Sequence, residues 1–428
     1  MRRLTVVLAG LMALAGGAQA QSPFSFEFHG FVNPHFYADS RQVMGGREEM
    51  MLFYPKPVVR DAAGYDINGE PQADLLSITT RLNVAVHGPD MLGAKTMAFV
   101  EGDFTGSTNA SNNDLRLRHA YLQLDWGHSR LLGGQYWHPM VVHEIMPNTR
   151  PLNMGAPFHP YARYNQVRYT GRLKNWEAIA VALYQQDNMS QGLLDGVVTS
   201  STQFQRRAVV PELHLQLRYN GERLLAGGAA NMLTLRPRIY TDATLVPPGP
   251  QHGLYRSFSY TLFVKYRFDG WAVSAQALLN NSLYEVCSMG GYLLPAVADR
   301  GTCMVEGIYP WHFNTAWIDF GRTQGRWRPG LFAGYGKRML PTDINYETGQ
   351  HYAIGRGFDI EYLWRLQPRL GYHHNEAFNI YVEAEYTFAQ YLKKELSADI
   401  FGNYYAYTHD PDGGVGNLRL MVSAEYRW

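Results

Sequence analysis

The chain ends on Leu418-Arg419-Leu420-Met421-Val422-Ser423-Ala424-Glu425-Tyr426-Arg427-Trp428. Every second residue from Leu418 is apolar. Between them stand Arg419, Ser423, Glu425 and Arg427, with Met421 alone breaking the polar register. Period-two alternation of this kind describes a strand with hydrocarbon on one face and water on the other. A soluble sheet can carry the same pattern. The aromatic terminus and the recurrence of the pattern along the chain narrow the reading.

Leu213, Leu215, Leu217 and Tyr219 alternate with His214, Gln216 and Arg218. Tyr260, Leu262, Val264, Tyr266 and Phe268 alternate with Ser259, Thr261, Lys265 and Arg267. Phe378, Ile380, Val382, Ala384, Tyr386 and Phe388 alternate with Tyr381, Glu383, Glu385 and Thr387. About 16 such segments run from Phe24–Tyr37 to Asn417–Trp428, with 18 as the competing count. Brief turns such as Gly88–Gly93, Trp126–Ser129, Asn220–Glu222, Asp269–Gly270 and His374–Glu376 separate alternate pairs. The connections between them are longer: Arg41–Asp74, Pro139–Tyr164, Asn281–His312 and Leu392–Gly416. Short turns on one side and long loops on the other predict an all-β fold, a transmembrane antiparallel β-barrel with periplasmic turns and extracellular loops. A barrel of this strand number is wide enough for an aqueous lumen, where the charged faces would lie. Tyr219, Phe268, Trp271, Tyr386 and Trp428, near strand ends, suit interfacial girdles. One strand departs from the pattern: in Leu115–Gln123 the face of Arg116 and Arg118 becomes Ala120 and Leu122, and a β-bulge near His119 would restore the register.

Composition agrees. The 428 residues include 29 Tyr, 20 Phe, 9 Trp and 42 Gly, which favours strands and turns. A net charge of +1 without a clustered basic run argues against a nucleic-acid partner. Met1-Arg2-Arg3, an apolar stretch from Leu4 to Ala18 and the small-residue site Ala18-Gln19-Ala20 read as a signal peptide over 1–20. The barrel then occupies 21–428. The apolar stretch is too short for a membrane helix, which needs about 20 residues. Cys287 and Cys303 fall in one long connection of an exported chain and are candidates for a disulfide.

The terminal segment, with Tyr426 and Trp428, resembles the C-terminal assembly signal of outer-membrane β-barrels. That resemblance implies the barrel assembly machinery, the lipid bilayer and lipopolysaccharide as partners in the cell outer membrane. Ala98–Phe104, Leu115–Leu124, Leu132–Pro139, Ala156–Phe158 and Arg163–Tyr169 resemble porins of Gram-negative bacteria, most closely an uncharacterised porin-like group in Bacteroidota. In such porins the third long loop folds into the lumen, sets a constriction and faces basic side chains on the wall. Carried over, that loop is Pro139–Tyr164, with Glu144 and Arg150 as lining charges. The wall candidates are Arg116, Arg118 and Arg168, with Glu101 and Asp103 opposite in sign and Lys265 and Arg267 on a further strand. Opposed charges across a narrow pore orient polar solutes. The same residues could instead pair and stiffen the wall. The resemblance implies passive diffusion of small hydrophilic solutes or ions, no cofactor, and a homotrimer.

Other chemistries fit less well. His138, His143 and Glu144 lack the spacing of a zinc motif, and Asp410–Gly414 echoes a calcium loop without its distal Glu. Gly334-Tyr335-Gly336 reads as strand packing rather than a nucleotide site. A barrel enzyme of phospholipase, deacylase or protease type would place a Ser/His or Asp/His constellation at the rim, and no such pair falls on adjacent strands in this register. A non-conducting structural or adhesive barrel is the other alternative.

Overall fold

The computed structural model describes residues 23–150, 154–186, 188–245, 253–295, 308–339, 351–399 and 402–428. The signal-peptide segment 1–20 and Cys303 lie outside the described residues, so neither the cleavage site nor the disulfide is addressed by the fold. Sixteen barrel strands follow the chain: β1 (Ser25–Val32, continued by His35–Asp39), β2 (Gln72–Leu76, continued by Arg81–Met91), β3 (Ala94–Asp103), β4 (Arg116–Asp125), β5 (Ser129–Trp137), β6 (Arg163–Leu173), β7 (Trp176–Tyr184), β8 (Glu212–Asn220), β9 (Leu224–Leu235), β10 (Tyr255–Phe268), β11 (Trp271–Leu279), β12 (Tyr309–Arg322), β13 (Trp327–Met339), β14 (Ile360–His373), β15 (Phe378–Asp399) and β16 (Gly402–Arg427). Each pairs antiparallel with the next, and β16 returns to β1 through Phe31↔Arg427 and Tyr37↔Met421. Closure leaves no barrel edge, as a bilayer requires of a sheet that crosses it.

The C-terminal alternation sorts as its sequence asks. Leu418, Leu420, Val422, Tyr426 and Trp428 face outward, whereas Arg419, Met421, Ser423 and Glu425 are buried inside. Leu215, Leu217, Leu262, Val382 and Tyr386 share the exposed outer face, and His214, Gln216, Thr261, Glu383 and Glu385 the interior. An apolar belt open to the surroundings on every side is stable only against lipid. A lysine or arginine at its midplane would cost roughly 2–4 kcal/mol. Near the short turns, Trp271 stacks on Phe320 at 4.9 Å and Trp176 meets Tyr219 edge-on at 5.5 Å. These rings form part of an interfacial girdle. Trp428 closes the barrel seam: its N–H donates to the Gly30 carbonyl at 3.1 Å, and the Gly30 N–H donates back at 3.2 Å. A Cβ at Gly30 would come within 2.7 Å of the Trp428 ring.

One turn is tighter than its sequence suggests. The hairpin expected to turn over Gly88–Gly93 continues its strand to Met91 and turns on Leu92 and Gly93, at φ 55° and 76°. Asp269 and Gly270 turn the same way, at φ 43° and 80°. Two successive positive φ values match the right-handed twist of the strands they join.

Three readings are refined or corrected. The bulge falls on Arg118: Glu101 pairs with His119 and Gly102 with Leu117, so Arg118 is the extra residue. Arg118 and His119 both turn inward, and Leu117 and Leu122 keep the lipid face. The segment Leu392–Gly416 is a continuation of β15 and β16, whose backbone ladder runs from Leu392↔His409 to Asp399↔Gly402, rather than a loop. The turn-forming run Asp410–Gly413 is accommodated as an irregularity between Gln390 and Leu392, with the Asp412 N–H bonded to the Asp410 side chain at 3.0 Å. The third correction concerns the interior. Three connections fold into it and bury an apolar core there, including Met50, Met51, Phe53 and Tyr54 from the first, Ile145 and Phe158 from the third, and Met289 and Leu293 from the sixth. These pack on Trp317, Phe332 and Leu363 of the wall.

Candidate pore site

The connection from β5 to β6 enters the interior on two single helical turns, Pro139–Val141 and His143–Ile145. Val142 joins them at φ 43°. The His138 ring caps the first turn, accepting from the Met140 N–H, and its Nε2 meets Glu212 of β8 at 2.9 Å. From there the segment is tied to wall after wall. Glu144 takes Arg218 of β8 at 2.7 Å, and its carbonyl accepts from Lys265 of β10 at 2.7 Å. Further along, the Asn148 N–H reaches Asp319 of β12, and the Arg150 N–H is shared by both oxygens of Glu383 of β15. The Arg150 guanidinium binds Glu425 of β16 at 3.0 Å and lies 4.1 Å from the Tyr381 ring centre. On the way back, the Ala156 carbonyl accepts from Arg365 of β14, the Phe158 carbonyl from Thr315 of β12, and the His159 ring contacts Gln276 of β11. The segment therefore crosses the interior from one wall to the opposite one and returns.

Its return ends in a basic cluster. Arg118 binds Glu101 and Asp103, each at 2.7 Å, and Arg116 binds Asp103 at 3.0 Å. Arg81 lies 3.6 Å from Glu101. The Tyr161 hydroxyl accepts from Arg118 at 3.1 Å and from Arg163 at 3.0 Å. Four guanidinium groups thus surround two carboxylates and one phenol. Burial would raise the Tyr161 phenol, but Arg118, Arg163, Arg116 and Arg81 outweigh it and bring it down to about 7. Burial also opposes ionisation of Glu144, yet His143 and Arg218 hold its carboxyl down at about 2. Glu285, on the sixth connection, is pushed up to about 8 by burial and then by Glu212.

Of the residues expected at the pore, Glu101, Asp103, Arg116 and Arg118 are together, and Glu144 and Lys265 meet at the start of the crossing segment. Arg150 reaches the far wall. Arg168 sits with its guanidinium 5.1 Å from the Tyr136 ring centre and 3.5 Å from the Trp137 carbonyl. Arg267 stands apart, exposed beside the turn at Glu222. Sequence reading missed Arg81, Arg163, Tyr161, Arg218, Glu383 and Glu425 as partners. It also missed Arg365 and Arg419, which hold the first connection inside: Arg419 binds Asp39 and the carbonyls of Glu49 and Met50, and Arg365 those of Leu52 and Phe53. A signal was present in the run Met50-Met51-Leu52-Phe53-Tyr54, too apolar for a loop facing water.

A closed 16-strand barrel with a lipid-facing belt, a charged inner wall and a segment crossing its lumen defines an outer-membrane β-barrel of porin architecture. No family model and no curated protein matches the sequence. Solved structures do match. The outer membrane channel DcaP of Acinetobacter baumannii superposes with a TM-score of 0.63 at 16% identity, over 96% of this chain and 99% of that one. The anion-selective porin from Comamonas acidovorans gives 0.56 at 12%, over 95% and 100%. OmpF of Salmonella typhi, in complex with daunomycin, gives 0.51 at 10%, over 95% and 98%. At these identities the likeness is one of fold.

Proposed function

We propose that the chain is a porin, conducting small hydrophilic solutes or ions passively across the outer membrane. The observation that carries this reading is the crossing segment 139–162, anchored by polar contacts on both walls beside a cluster of four arginines. The residues Glu101, Asp103, Arg116, Arg118, Glu144, Arg150, Arg168 and Lys265 line or brace the path and set its selectivity, and the third loop forms its constriction. A homotrimer is part of the proposal, by analogy with OmpT of Vibrio cholerae, one structure of which is described as a trimer form. Lipopolysaccharide and the barrel assembly machinery are its expected partners, and a porin-like group of Bacteroidota its expected kin.

The apolar core inside the lumen favours a second reading, a barrel that does not conduct. Planar-bilayer recording of the purified protein separates the two. Ohmic steps that change size with Arg118→Gln support the porin. A silent bilayer, with folded barrel recovered from it, supports the non-conducting barrel.

A further inference from the structure

Guanidinium groups of the inner wall mostly answer carboxylates, as Arg118 answers Glu101, Arg369 Asp319 and Arg419 Asp39. The periplasmic rim below β12–β14 is different. The turn between β12 and β13 carries Arg322 and Arg326, and Arg328 follows on β13. Among the described residues none of the three is ion-paired with a carboxylate, and the Arg328 Nε is used on the Gly325 carbonyl at 3.1 Å. Gly325, at φ 87°, bends this turn, and a Cβ added there would meet the Arg322 guanidinium at 3.4 Å. The facing turn, 373–378, is fixed by Asn375, whose side chain accepts from the Ala377 and Phe378 N–H groups at 2.9 and 2.7 Å. The His373 N–H donates to the Arg326 carbonyl at 2.7 Å, and the Arg427 N–H to the Ala377 carbonyl at 2.8 Å. Backbone bonds therefore hold three pieces of chain around one recess.

That recess has a volume of about 490 Å³ and is lined by Arg326, Arg328, Arg427, His373, Glu376 and Asn379 among others. Three guanidinium groups and an imidazole face a single carboxylate there. Arg427 is engaged by Glu425, which also carries Arg150, so one carboxylate is divided between two cations. Asn379 is 2% exposed, and its side-chain Oδ1 has no hydrogen-bond partner. That oxygen is an acceptor and calls for a donor, so it marks the floor as polar without itself holding an anion.

We propose that this recess is an anion-binding site at the periplasmic mouth, taking a solute with two or more phosphate or carboxylate groups. Guanidinium forks match such groups in pairs, and the spread of cations around the recess suits several negative groups rather than one. The site needs only the barrel and its rim turns, so it stands or falls separately from conduction.

Calorimetric titration of the purified barrel in zwitterionic detergent, at low salt, tests this with pyrophosphate and citrate as probes. The expected result is saturable binding of at least one probe, weakened tenfold or more in Arg326→Gln/Arg328→Gln. Arg223→Gln, on the rim turn between β8 and β9, should stay within twofold of wild type. Preference for pyrophosphate or for citrate would assign the site to phosphates or carboxylates. Raising ionic strength should weaken binding, because rim charges are screened beyond about 8 Å at physiological salt. Arg326 is exposed and Arg328 half-buried at the rim, both outside the buried core, and unchanged heat-modified mobility checks the fold. Binding by the double variant at wild-type affinity, or no saturable heat from wild type with either probe, would overturn the proposal.

Discussion

Two arginine-rich stretches of wall flank strand β1, and they are built differently. On the wall of β14–β16 and its neighbours the deeply buried arginines are each matched to a carboxylate: Arg365 to Glu385, Arg369 to Asp319 and Arg419 to Asp39. Arg365 and Arg419 spend further donors on backbone carbonyls of the first and third connections. On the wall of β2–β6, among the described residues, Arg81, Arg116, Arg118 and Arg163 gather around Glu101, Asp103 and the Tyr161 phenol, so that carboxylates and a phenol are shared among several guanidinium groups. The first wall is a set of neutral fasteners. The second is a shared network that includes a titratable phenol of the crossing segment.

The strongest way to break this contrast is at a fastener. Arg419→Ala leaves Asp39 buried without its partner, a loss of about 3–5 kcal/mol for a pair broken on one side. The expected outcome is a lower midpoint in urea, followed by the shift from fast to slow electrophoretic mobility, and early protease cleavage within Val43–Pro55. Arg419→Met combined with Asp39→Leu, which removes both charges, should recover most of the stability. If it does not, the pair is more than a fastener.

The basic wall is tested by titration. Below pH 7 the Tyr161 phenol is neutral and the cluster is one negative charge short of its state at high pH. As pH rises through about 7 the phenol ionises and cancels one charge. Because its folded value lies below the ordinary tyrosine value of about 10, the native state gains stability as pH rises from about 7 to 10. A tyrosinate absorbance step near 295 nm should appear around pH 7 and vanish in Tyr161→Phe. For a conducting barrel, anion preference in a salt gradient should be greater at pH 6 than at pH 8.5, and independent of pH in the variant.

A smaller effect is expected where the sixth connection leans on the wall. Glu285 is buried near Glu212, with neither of its own oxygens hydrogen-bonded. Its folded value lies above the ordinary carboxyl range, so the native state holds the extra proton. Docking therefore weakens as pH rises from about 4.5 to about 8 and is constant above. Hydrogen exchange in Leu283–Leu294 should quicken several-fold across that range in wild type and stay level in Glu285→Gln. The least effect belongs to Arg267→Gln, whose side chain lies outside both clusters: conductance and ion preference should change by less than about a fifth, and a larger change would return it to the pore.

The outer half of this architecture was legible because lipid imposes a two-residue period on every strand, and a slip of one residue would invert both faces at once. Leu213–Tyr219 and Leu418–Trp428 could be sorted residue by residue on that ground alone. The Arg118 bulge was visible as a phase change in Leu115–Gln123, although its position was one residue off. The lumen was harder to read. Loop segments carry no period, so nothing in Pro139–Tyr164 says that Asn148 meets Asp319 or that Arg150 meets Glu383. Tyr161 gains its chemistry only from neighbours on three different strands. Leu392–Gly416 was misread because a run of Asp, Pro and Gly signals a turn equally well whether it ends a strand or only interrupts one.

That interrupted strand makes the final hairpin a mast. Eight rungs of backbone ladder beyond the Asp410–Gly413 irregularity, at roughly 3.3 Å each, extend the pair about 26 Å along its strands, to Asp399 and Gly402. The seam that shuts the barrel lies at the opposite end of the same β16, where Trp428 meets Gly30. Foreign sequence grafted between Asp399 and Gly402 would thus be carried clear of the cell surface while the closing seam stayed intact, which makes this hairpin a natural platform for displaying peptides.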